Sequence, residues 1–553
     1  MPKSELQLKW WQQLLVVEAL FLCCVAMWVQ GDLWYDEVLS WNVVFGYDSP
    51  WEIFRNYRFA NNHFLSNFLE WLWLRGLGLN CWNELLVRLP PILFGMATVA
   101  VGSLAWRRFL GEKVALLTAV VMACSPVFTA FAWQFRGYSL AMFLSALAVT
   151  ATASRWAKPT WGNGVALFCV SLLLPLVMPP AAMLPFALAF ALFAGKGKTL
   201  REWTGCCAAI RGAWPPVAGA VLGVAYYLTL WEEFRAAMRE SGGWTSAWMV
   251  GLHVMFAFAL HLGVLCVPLL KPAQKCAGTE QPAPDDPRKN ARAQNCAGTE
   301  QPAPDDLRKN AQAQNTPRKN ARAQNCAGTE PRLAWWLLSG CALALVAVLL
   351  VPSPVHRAPF PRVFLVLLPA VTFGAALLAR EWPWLNQLSQ RGWWGLLASV
   401  FIFALIVSQG SEWLTAHQLD TASEPPQNLL QQYYRGNGGV SALLREYAEI
   451  SEAQRKRQVV LVSPYDVPTS DYYWMLYGLP GKGDGGLPLV RPANTVKFEN
   501  LANYRTYGYE YLILARHEHE ARDWAQTIGF RESQVVPEGN WHDHHRLFRI
   551  VQQ

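Results

Sequence analysis

Charged residues are scarce in this chain of 553 residues: they make up 16% of the sequence, whereas soluble proteins have about 25%. A soluble protein of this length needs more charged surface, so the shortage argues against that class. The net charge of +8 is a sum over many loops and does not indicate a nucleic-acid partner. Hydrophobic residues make up 53% of the chain, which includes 28 Trp and 27 Phe. Aromatic residues collect where membranes meet water, so the composition predicts a polytopic α-helical membrane protein with no nucleic-acid partner.

The cysteines fit neither a disulfide framework nor a metal site. None of the 12 Cys belongs to a C-x-x-C pair, and none lies beyond Cys341. Several fall inside apolar runs, where cysteine behaves as a small hydrophobic residue. The first apolar run also lacks the end of a cleaved signal peptide, because Trp28-Val-Gln-Gly-Asp32 does not resemble a small-residue cleavage site. We therefore expect no metal ion and an uncleaved first span.

The sequence is rich in long apolar runs. A membrane-spanning helix needs about 20 apolar residues. About eleven stretches approach this length: 11–29, 85–105, 114–133, 138–154, 163–178, 181–194, 214–230, 247–270, 333–351, 363–379 and 392–409. The stretches 163–178 and 181–194 are short and interrupted by prolines, so they predict either a tight hairpin or one broken helix.

Basic residues alternate between successive loops in the way that sets the orientation of a membrane protein. One set of loops, predicted to be cytoplasmic together with the N-terminus, holds Arg107, Arg108, Lys113, Arg155, Lys158, Lys196, Lys198, Arg201, Arg380 and Arg391. The long loop 30–84 then lies on the outer side, and an odd number of spans places the C-terminal region there too. The sequence thus predicts a multi-pass protein of the inner (plasma) membrane with an extracytoplasmic C-terminal domain.

Two regions do not read as spans. Residues 271–332 contain a 20-residue repeat in which no apolar face recurs, so the repeats cannot bury a core and predict a disordered cytoplasmic loop. Residues 411–553 follow the transmembrane domain 1–410 and predict a soluble α/β domain, because strand-like and helix-like patterns alternate there. The predicted strands are 458–463, 510–515 and 546–551, and the predicted helix is 518–528.

Three carboxylates lie within six residues just after the first span, at Asp32, Asp36 and Glu37. Neighbouring helical residues point about 100° apart, so one member of the Asp36-Glu37 pair can do chemistry while the other holds the backbone. A carboxylate half shielded from water can act as a general base near neutral pH. The alternatives are solvated loop acids or a helix cap. His63, in the same loop, is a candidate ligand or acid–base group, or a structural residue at a helix start.

Arginines on the same predicted side supply positive charge. Arg136 lies between the third and fourth spans, and Arg357 and Arg362 lie at the start of the tenth. Guanidinium groups match phosphate oxygens well, although an interfacial arginine also snorkels without binding a ligand. With the carboxylate pair, the three arginines predict a site for an anionic, phosphate-bearing lipid.

These residues carry a resemblance to a known family. The chain resembles polyprenyl-phosphate-sugar-dependent glycosyltransferases with the GT-C membrane fold, and within them the bacterial members of the protein O-mannosyltransferase and lipid A aminoarabinose transferase group. Phe64 stands where that group has a proline, and one residue fewer separates Gln134 from Arg136. The matching stretches are Asp36-Glu37, Asn62-His63-Phe64-Leu65, Trp133-Gln134-Phe135-Arg136-Gly137-Tyr138 and Arg362-Val-Phe-Leu-Val-Leu-Leu-Pro369.

The resemblance implies a reaction and a role for each residue. The donor is a sugar on a polyprenyl phosphate, and the acceptor is a hydroxyl of a lipid, glycan or protein. Asp36 acts as the base in an inverting transfer, with Glu37 as its catalytic neighbour. The binding residues are His63, Arg136, Tyr138, Arg357 and Arg362, of which the arginines stabilise the leaving phosphate. This chemistry requires no cofactor or metal, and no nucleotide sugar, which fits the absence of a phosphate-cradling glycine loop.

Two other functions are compatible with parts of the sequence. A transporter or flippase of a lipid-linked sugar uses the same arginine-lined path but needs no base. Transporters often carry internal repeats between their halves, and the spans here show none. A structural scaffold of the cell envelope accounts for the C-terminal domain and leaves the acidic pair unexplained.

Overall fold

The structure is a computed structural model that describes residues 9–26, 29, 33, 35–57, 62–80, 82–195, 202–240, 247–266, 330–350, 361–381, 392–403, 440–451, 458–462, 467–477, 479, 510–515, 518–527, 529–542 and 545–551. Arg357, Asp32 and the predicted repeat loop 271–332, apart from its last three residues, lie outside the described residues. Predictions on these positions therefore stay predictions.

The described part of the first 403 residues is helical. Its helices are α1 (Trp10–Ala26), α2 (Tyr35–Gly46), α3 (Phe64–Trp71), α4 (Glu84–Ala100), α5 (Arg107–Leu110), α6 (Glu112–Cys124), α7 (Pro126–Ala132), α8 (Tyr138–Ala157), α9 (Trp161–Val177), α10 (Met183–Ala194), α11 (Trp203–Ala225), α12 (Trp231–Glu240), α13 (Ala247–Cys266), α14 (Glu330–Leu350), α15 (Leu368–Ala379) and α16 (Gly392–Phe403). We call residues 35–80, which join α1 to α4, the first connecting segment.

Five helical stretches in the described residues are long and apolar enough to cross a membrane, and a sixth qualifies if the bent pair α6–α7 is one span. The five are Glu84–Leu110, Tyr138–Ala157, Trp203–Ala237, Pro331–Leu350 and Arg362–Ala379. Shorter apolar helices occupy the other predicted positions, and a 17-residue helix such as α1 is about 26 Å long, just short of a bilayer core. The chain is a membrane protein, and the count of eleven spans stays a prediction.

Prolines break the helices at two places, of which the sequence predicted the one between 163 and 194 but not the one inside the predicted span 114–133. α9 ends at Val177, a 3₁₀ turn covers Pro179–Ala182, and α10 follows. α6 and α7 meet at an angle of 61° because Pro126 has no backbone N–H to continue α6. Ser125 caps α7 by accepting a hydrogen bond from the N–H of Phe128 at 3.4 Å. This bend aims α7 at the segment that carries Arg136.

The C-terminal region forms a four-stranded mixed sheet of order β1-β2-β4-β3. β1 and β2 are parallel, and β4 is antiparallel to both β2 and β3. The strands are β1 (Gln458–Val462), β2 (Glu510–Ala515), β3 (Val535–His542) and β4 (His545–Ile550), and the helices are α17 (Val440–Glu449), α18 (Val467–Leu476) and α19 (Glu518–Thr527). The three predicted strands and the predicted helix are confirmed within a few residues, and β3 was not predicted.

A shared apolar core joins the C-terminal region to the first connecting segment. It combines Val38 and Val44 of that segment, and Leu33 just before it, with Leu443, Tyr472 and Leu512 of the C-terminal region. The Trp41 and Tyr472 rings meet edge to face, with their centroids 5.3 Å apart. Helix α18 thus packs against α2, which carries the carboxylate pair. A separate, larger core fills the space between the apolar helices.

Candidate active site

Asp36 lies in the first turn of α2 and is almost fully buried, with 3% of its surface exposed. Its Oδ2 is 2.7 Å from Nη2 of Arg362 and 3.2 Å from Nη1 of Arg136. Burial raises the pKa of Asp36, but the charges of Arg136 and Arg362 outweigh burial and hold that pKa below its usual value. Within the described residues, this carboxylate and its two guanidinium groups carry a net charge of +1, which favours an anionic ligand.

His63 completes the cluster from the start of α3. Its Nδ1 is 3.0 Å from the carbonyl oxygen of Val177, and its Nε2 is 2.9 Å from Nη2 of Arg136. A carbonyl oxygen can only accept, so Nδ1 carries the ring proton and Nε2 accepts from Arg136. Burial and then the charge of Arg136 lower the pKa of His63 well below its usual value. A neutral His63 therefore orients Arg136 against Asp36.

The turn between α7 and α8 holds Arg136 in place. Arg136 is 1% exposed, and its guanidinium lies 5.5 Å from the centre of the Tyr138 ring. Gly137 is needed for this arrangement, because a Cβ atom there would lie 2.7 Å from Cγ1 of Val177 and 2.9 Å from Nδ1 of His63. Nη1 of Arg136 contacts Asp36, and Nη2 contacts His63. The buried Nε of Arg136 has no hydrogen-bond partner among the described residues.

Glu37 is fully buried and turned away from Asp36's partners. It accepts hydrogen bonds from Nε and Nη2 of Arg88, at 3.1 and 2.8 Å, and from the backbone N–H of Phe135, at 2.8 Å. Arg88 also donates to the carbonyl of Val29 at 2.9 Å and lies over the Trp133 ring. Glu37 thus fastens α2 to α4 and to the Arg136 turn.

A second chain of polar contacts leads from this clamp to the C-terminal region. The Tyr473 hydroxyl of α18 donates to Oε1 of Glu84 at 2.7 Å and accepts from the N–H of Leu33 at 2.6 Å. Glu84 in turn has its Oε2 3.9 Å from Nη1 of Arg88. The C-terminal region therefore contacts the first turn of α4 and the residues that precede α2.

The structure brings together six of the seven predicted site residues: Asp36, Glu37, His63, Arg136, Tyr138 and Arg362. Arg362 reaches Asp36 from the 3₁₀ turn Pro361–Leu367 that leads into α15. Arg357 lies outside the described residues. What each of the six does chemically stays a prediction.

Two buried charged residues near the Asp36 cluster, Arg88 and Glu70, were not among the predicted site residues. Arg88 lies in a predicted span, and an ionisable residue in a span is a functional candidate by default, so a signal for it existed. Glu70 on α3 is 1% exposed, and burial raises its pKa to about 8. No sequence signal distinguished Glu70 from an exposed carboxylate on an interfacial helix.

Comparisons with known proteins support the fold. No protein-family model matches the chain, and no curated protein matches it significantly. Solved structures do: apo ArnT from Cupriavidus metallidurans is 13% identical, with a TM-score of 0.50, and the alignment covers 98% of this chain and 97% of that one. ArnT from the same organism bound to undecaprenyl phosphate is 13% identical, with a TM-score of 0.49 and 98% coverage of both chains. ArnT is a lipid A aminoarabinose transferase of the GT-C class. The likeness to apo ArnT supports the GT-C membrane fold that the motifs predicted, while the number of spans and the C-terminal domain stay predictions.

Proposed function

We propose that the chain is a glycosyltransferase of the inner membrane that moves a sugar from a polyprenyl phosphate to an acceptor hydroxyl, with inversion at the anomeric carbon. The observation that carries this proposal is the buried Asp36 carboxylate held between the guanidinium groups of Arg136 and Arg362. A general base and two phosphate-binding groups at one point are what such a transfer needs.

The arginines bind the phosphate of the donor. A guanidinium group offers paired N–H donors that match phosphate oxygens, and the buried Nε of Arg136 is available to a ligand oxygen among the described residues. The net charge of +1 on the cluster suits an anion better than a neutral molecule. His63 and Tyr138 position Arg136, and Arg357 is proposed as a further phosphate ligand.

Transfer proceeds by an in-line displacement. The acceptor hydroxyl gives its proton to Asp36 as its oxygen attacks the anomeric carbon, and the bond from that carbon to the phosphate oxygen breaks. The phosphate leaves with the bonding electron pair, and its developing charge is stabilised by Arg136 and Arg362. No metal or cofactor takes part.

Donor binding also activates the base. While both guanidinium groups contact Asp36, its pKa is below the usual value, which makes it a weak base. A bound phosphate shares the guanidinium groups and weakens their hold, so the pKa of Asp36 rises. The base is then strongest when the donor is in place, which protects the enzyme from unproductive protonation.

The test is Asp36→Asn in membranes that contain a radiolabelled polyprenyl-phosphate sugar and candidate lipid, glycan and protein acceptors. Loss of a general base lowers the transfer rate by about 10²–10⁴-fold, while polyprenyl phosphate binding is kept or strengthened because a negative charge is removed. Asp48→Asn is the matched control, because the Asp48 side chain is fully exposed in the same segment.

Transfer by Asp36→Asn at near the wild-type rate would overturn the mechanism. Failure of the wild type to transfer any sugar, with movement of the lipid-linked sugar across the bilayer instead, would favour a transporter. Glycan profiling of a deletion strain then identifies the acceptor class.

A further inference from the structure

Helix α3 buries its polar residues Ser66, Asn67 and Glu70, while most of its apolar residues are only partly buried. Ser66, Asn67 and Glu70 are 2%, 1% and 1% exposed, whereas Leu72 just beyond the helix is 41% exposed. With His63 at the N-cap, these polar residues follow the spacing i, i+3, i+4 and i+7, which places them on one helix face. A helix of this kind separates an apolar environment from a polar interior, and here the interior is the Asp36 cluster.

Two oxygens on the buried face have no hydrogen-bond partner among the described residues: Oδ1 of Asn67 and Oε2 of Glu70. The other polar atoms of these side chains are bonded. Nδ2 of Asn67 donates to Asn62 at 2.7 Å, and Oε1 of Glu70 accepts from the Ser66 hydroxyl at 2.9 Å. Unpaired buried polar atoms destabilise a fold, and native proteins retain few of them. Two such atoms three residues apart on one face indicate a ligand with its own hydroxyl groups.

Glu70 also lies within electrostatic reach of the reacting groups. The charges of Arg136 and Glu37 both act on it, with opposite sign, while burial raises its pKa to about 8. The carboxyl group is therefore protonated at neutral pH. Because the Ser66 hydroxyl donates to Oε1, the proton lies on Oε2. The face thus presents one donor, Oε2–H of Glu70, and one acceptor, Oδ1 of Asn67.

We propose that Asn67 and Glu70 form a subsite that binds the ring hydroxyls of the transferred sugar. The inference rests on the proposed glycosyltransferase function and identifies which part of the donor each group holds. Arg136 and Arg362 take the phosphate, and the polar face of α3 takes the sugar. A donor–acceptor pair reads the positions of two hydroxyls, so this subsite selects among sugars that differ in hydroxyl configuration.

The test measures binding of two lipids to purified protein: polyprenyl phosphate, and the same lipid carrying one glucose, mannose or arabinose. In Glu70→Leu, the Kd for the preferred sugar-bearing lipid rises about tenfold, as expected for the loss of one hydrogen bond. The Kd for sugar-free polyprenyl phosphate stays unchanged. An equal change for both lipids, or a change for neither, overturns the subsite. Glu52→Leu is the control, since Glu52 is a half-buried carboxylate on the turn Pro50–Arg55 that packs against α3.

The pH dependence of the same binding separates a direct contact of Glu70 with the sugar from a purely structural role, because a structural role would not change this pH dependence. For the wild type, the Kd of the sugar-bearing lipid rises above about pH 8 as Glu70 loses its proton. Glu70→Gln keeps the shape and a donor, so its Kd shows no such rise and sugar-bearing lipid still binds. The same alkaline rise in Glu70→Gln overturns the inference. Charged groups on the elements around α3 are Asp36, Glu37, Glu52, Arg55, Arg75 and Arg136.

Failure of the two proposals can be told apart. If the wild type binds sugar-bearing lipid more tightly than sugar-free lipid but transfers nothing, the proposed function fails and the subsite stands. If the wild type transfers sugar while Glu70→Leu retains the wild-type Kd for the sugar-bearing lipid, the subsite alone fails.

Discussion

The buried Glu37–Arg88 pair should show strong energetic coupling. Both side chains are fully buried, and two hydrogen bonds of 2.8 and 3.1 Å join them. Glu37→Gln leaves the Arg88 charge without its carboxylate, and Arg88→Met leaves a buried carboxylate with the Phe135 N–H. Removing one partner of such a pair costs about 3–5 kcal/mol, so each single variant should lose that much stability.

The double variant Glu37→Gln/Arg88→Met removes both charges at once and should be more stable than the sum of the two losses predicts. We expect it to lose about 2 kcal/mol, mainly because the Val29 carbonyl loses the donor that Arg88 provides. The coupling energy is then at least about 4 kcal/mol. The assay is SDS-induced unfolding in mixed micelles, followed by circular dichroism. Single-variant losses that add to within about 0.5 kcal/mol would refute the role of Glu37 as one half of a structural clamp.

Three further predictions follow from the same contacts. Gly137→Ala places a Cβ against Val177 and His63, so it should lower transfer and reduce the stability of the fold by about 1–3 kcal/mol. Gly162 has open space around it, so Gly162→Ala should leave transfer unchanged. Equal transfer by both variants would count against the close approach at Gly137. Tyr473→Phe removes the hydrogen bonds with Leu33 and Glu84 and should lower both stability and transfer. The control Tyr477→Phe loses a hydrogen bond within the C-terminal region and should lower stability alone. Equal transfer by the two variants would contradict a link from the C-terminal region to the site. His63 has a folded-state pKa well below its usual value, so the unfolded chain binds the extra proton and stability should fall as pH drops below about 6.5. In His63→Gln this loss of stability at low pH should be smaller. A pH–stability curve of His63→Gln identical to that of the wild type would contradict a neutral His63.

Much of the site could be predicted because the topology of a membrane protein assigns each loop to one of the two sides of the membrane. Asp36, His63, Arg136 and Arg362 are far apart in the chain, yet each is the polar residue of a loop on the same predicted side. Sequence motifs supplied their order, and the short distances between them follow from the fold. The pairing of Glu37 with Arg88 could not be predicted from motifs or topology, because Arg88 lies 51 residues away inside an apolar run.

The orientation of α3 could not be predicted for a different physical reason. Its mixture of aromatic and polar residues shows that the helix has two faces. In water the apolar face of such a helix turns inward. In a membrane protein the surroundings are apolar too, so the pattern does not tell which face is buried. The burial of Ser66, Asn67 and Glu70 is information that only the folded structure supplies.

The charges of the cluster explain why a neutral carboxyl group near the base is useful. Glu37 and Arg88 cancel each other, and Asp36 with Arg136 and Arg362 leaves a net charge of +1 among the described groups. An ionised Glu70 would cancel that charge and weaken the attraction for a phosphate. A protonated Glu70 preserves it and still offers a hydrogen bond. The burial that makes Glu70 a poor anion therefore serves both halves of the donor, since it keeps positive charge for the phosphate and a neutral donor for the sugar.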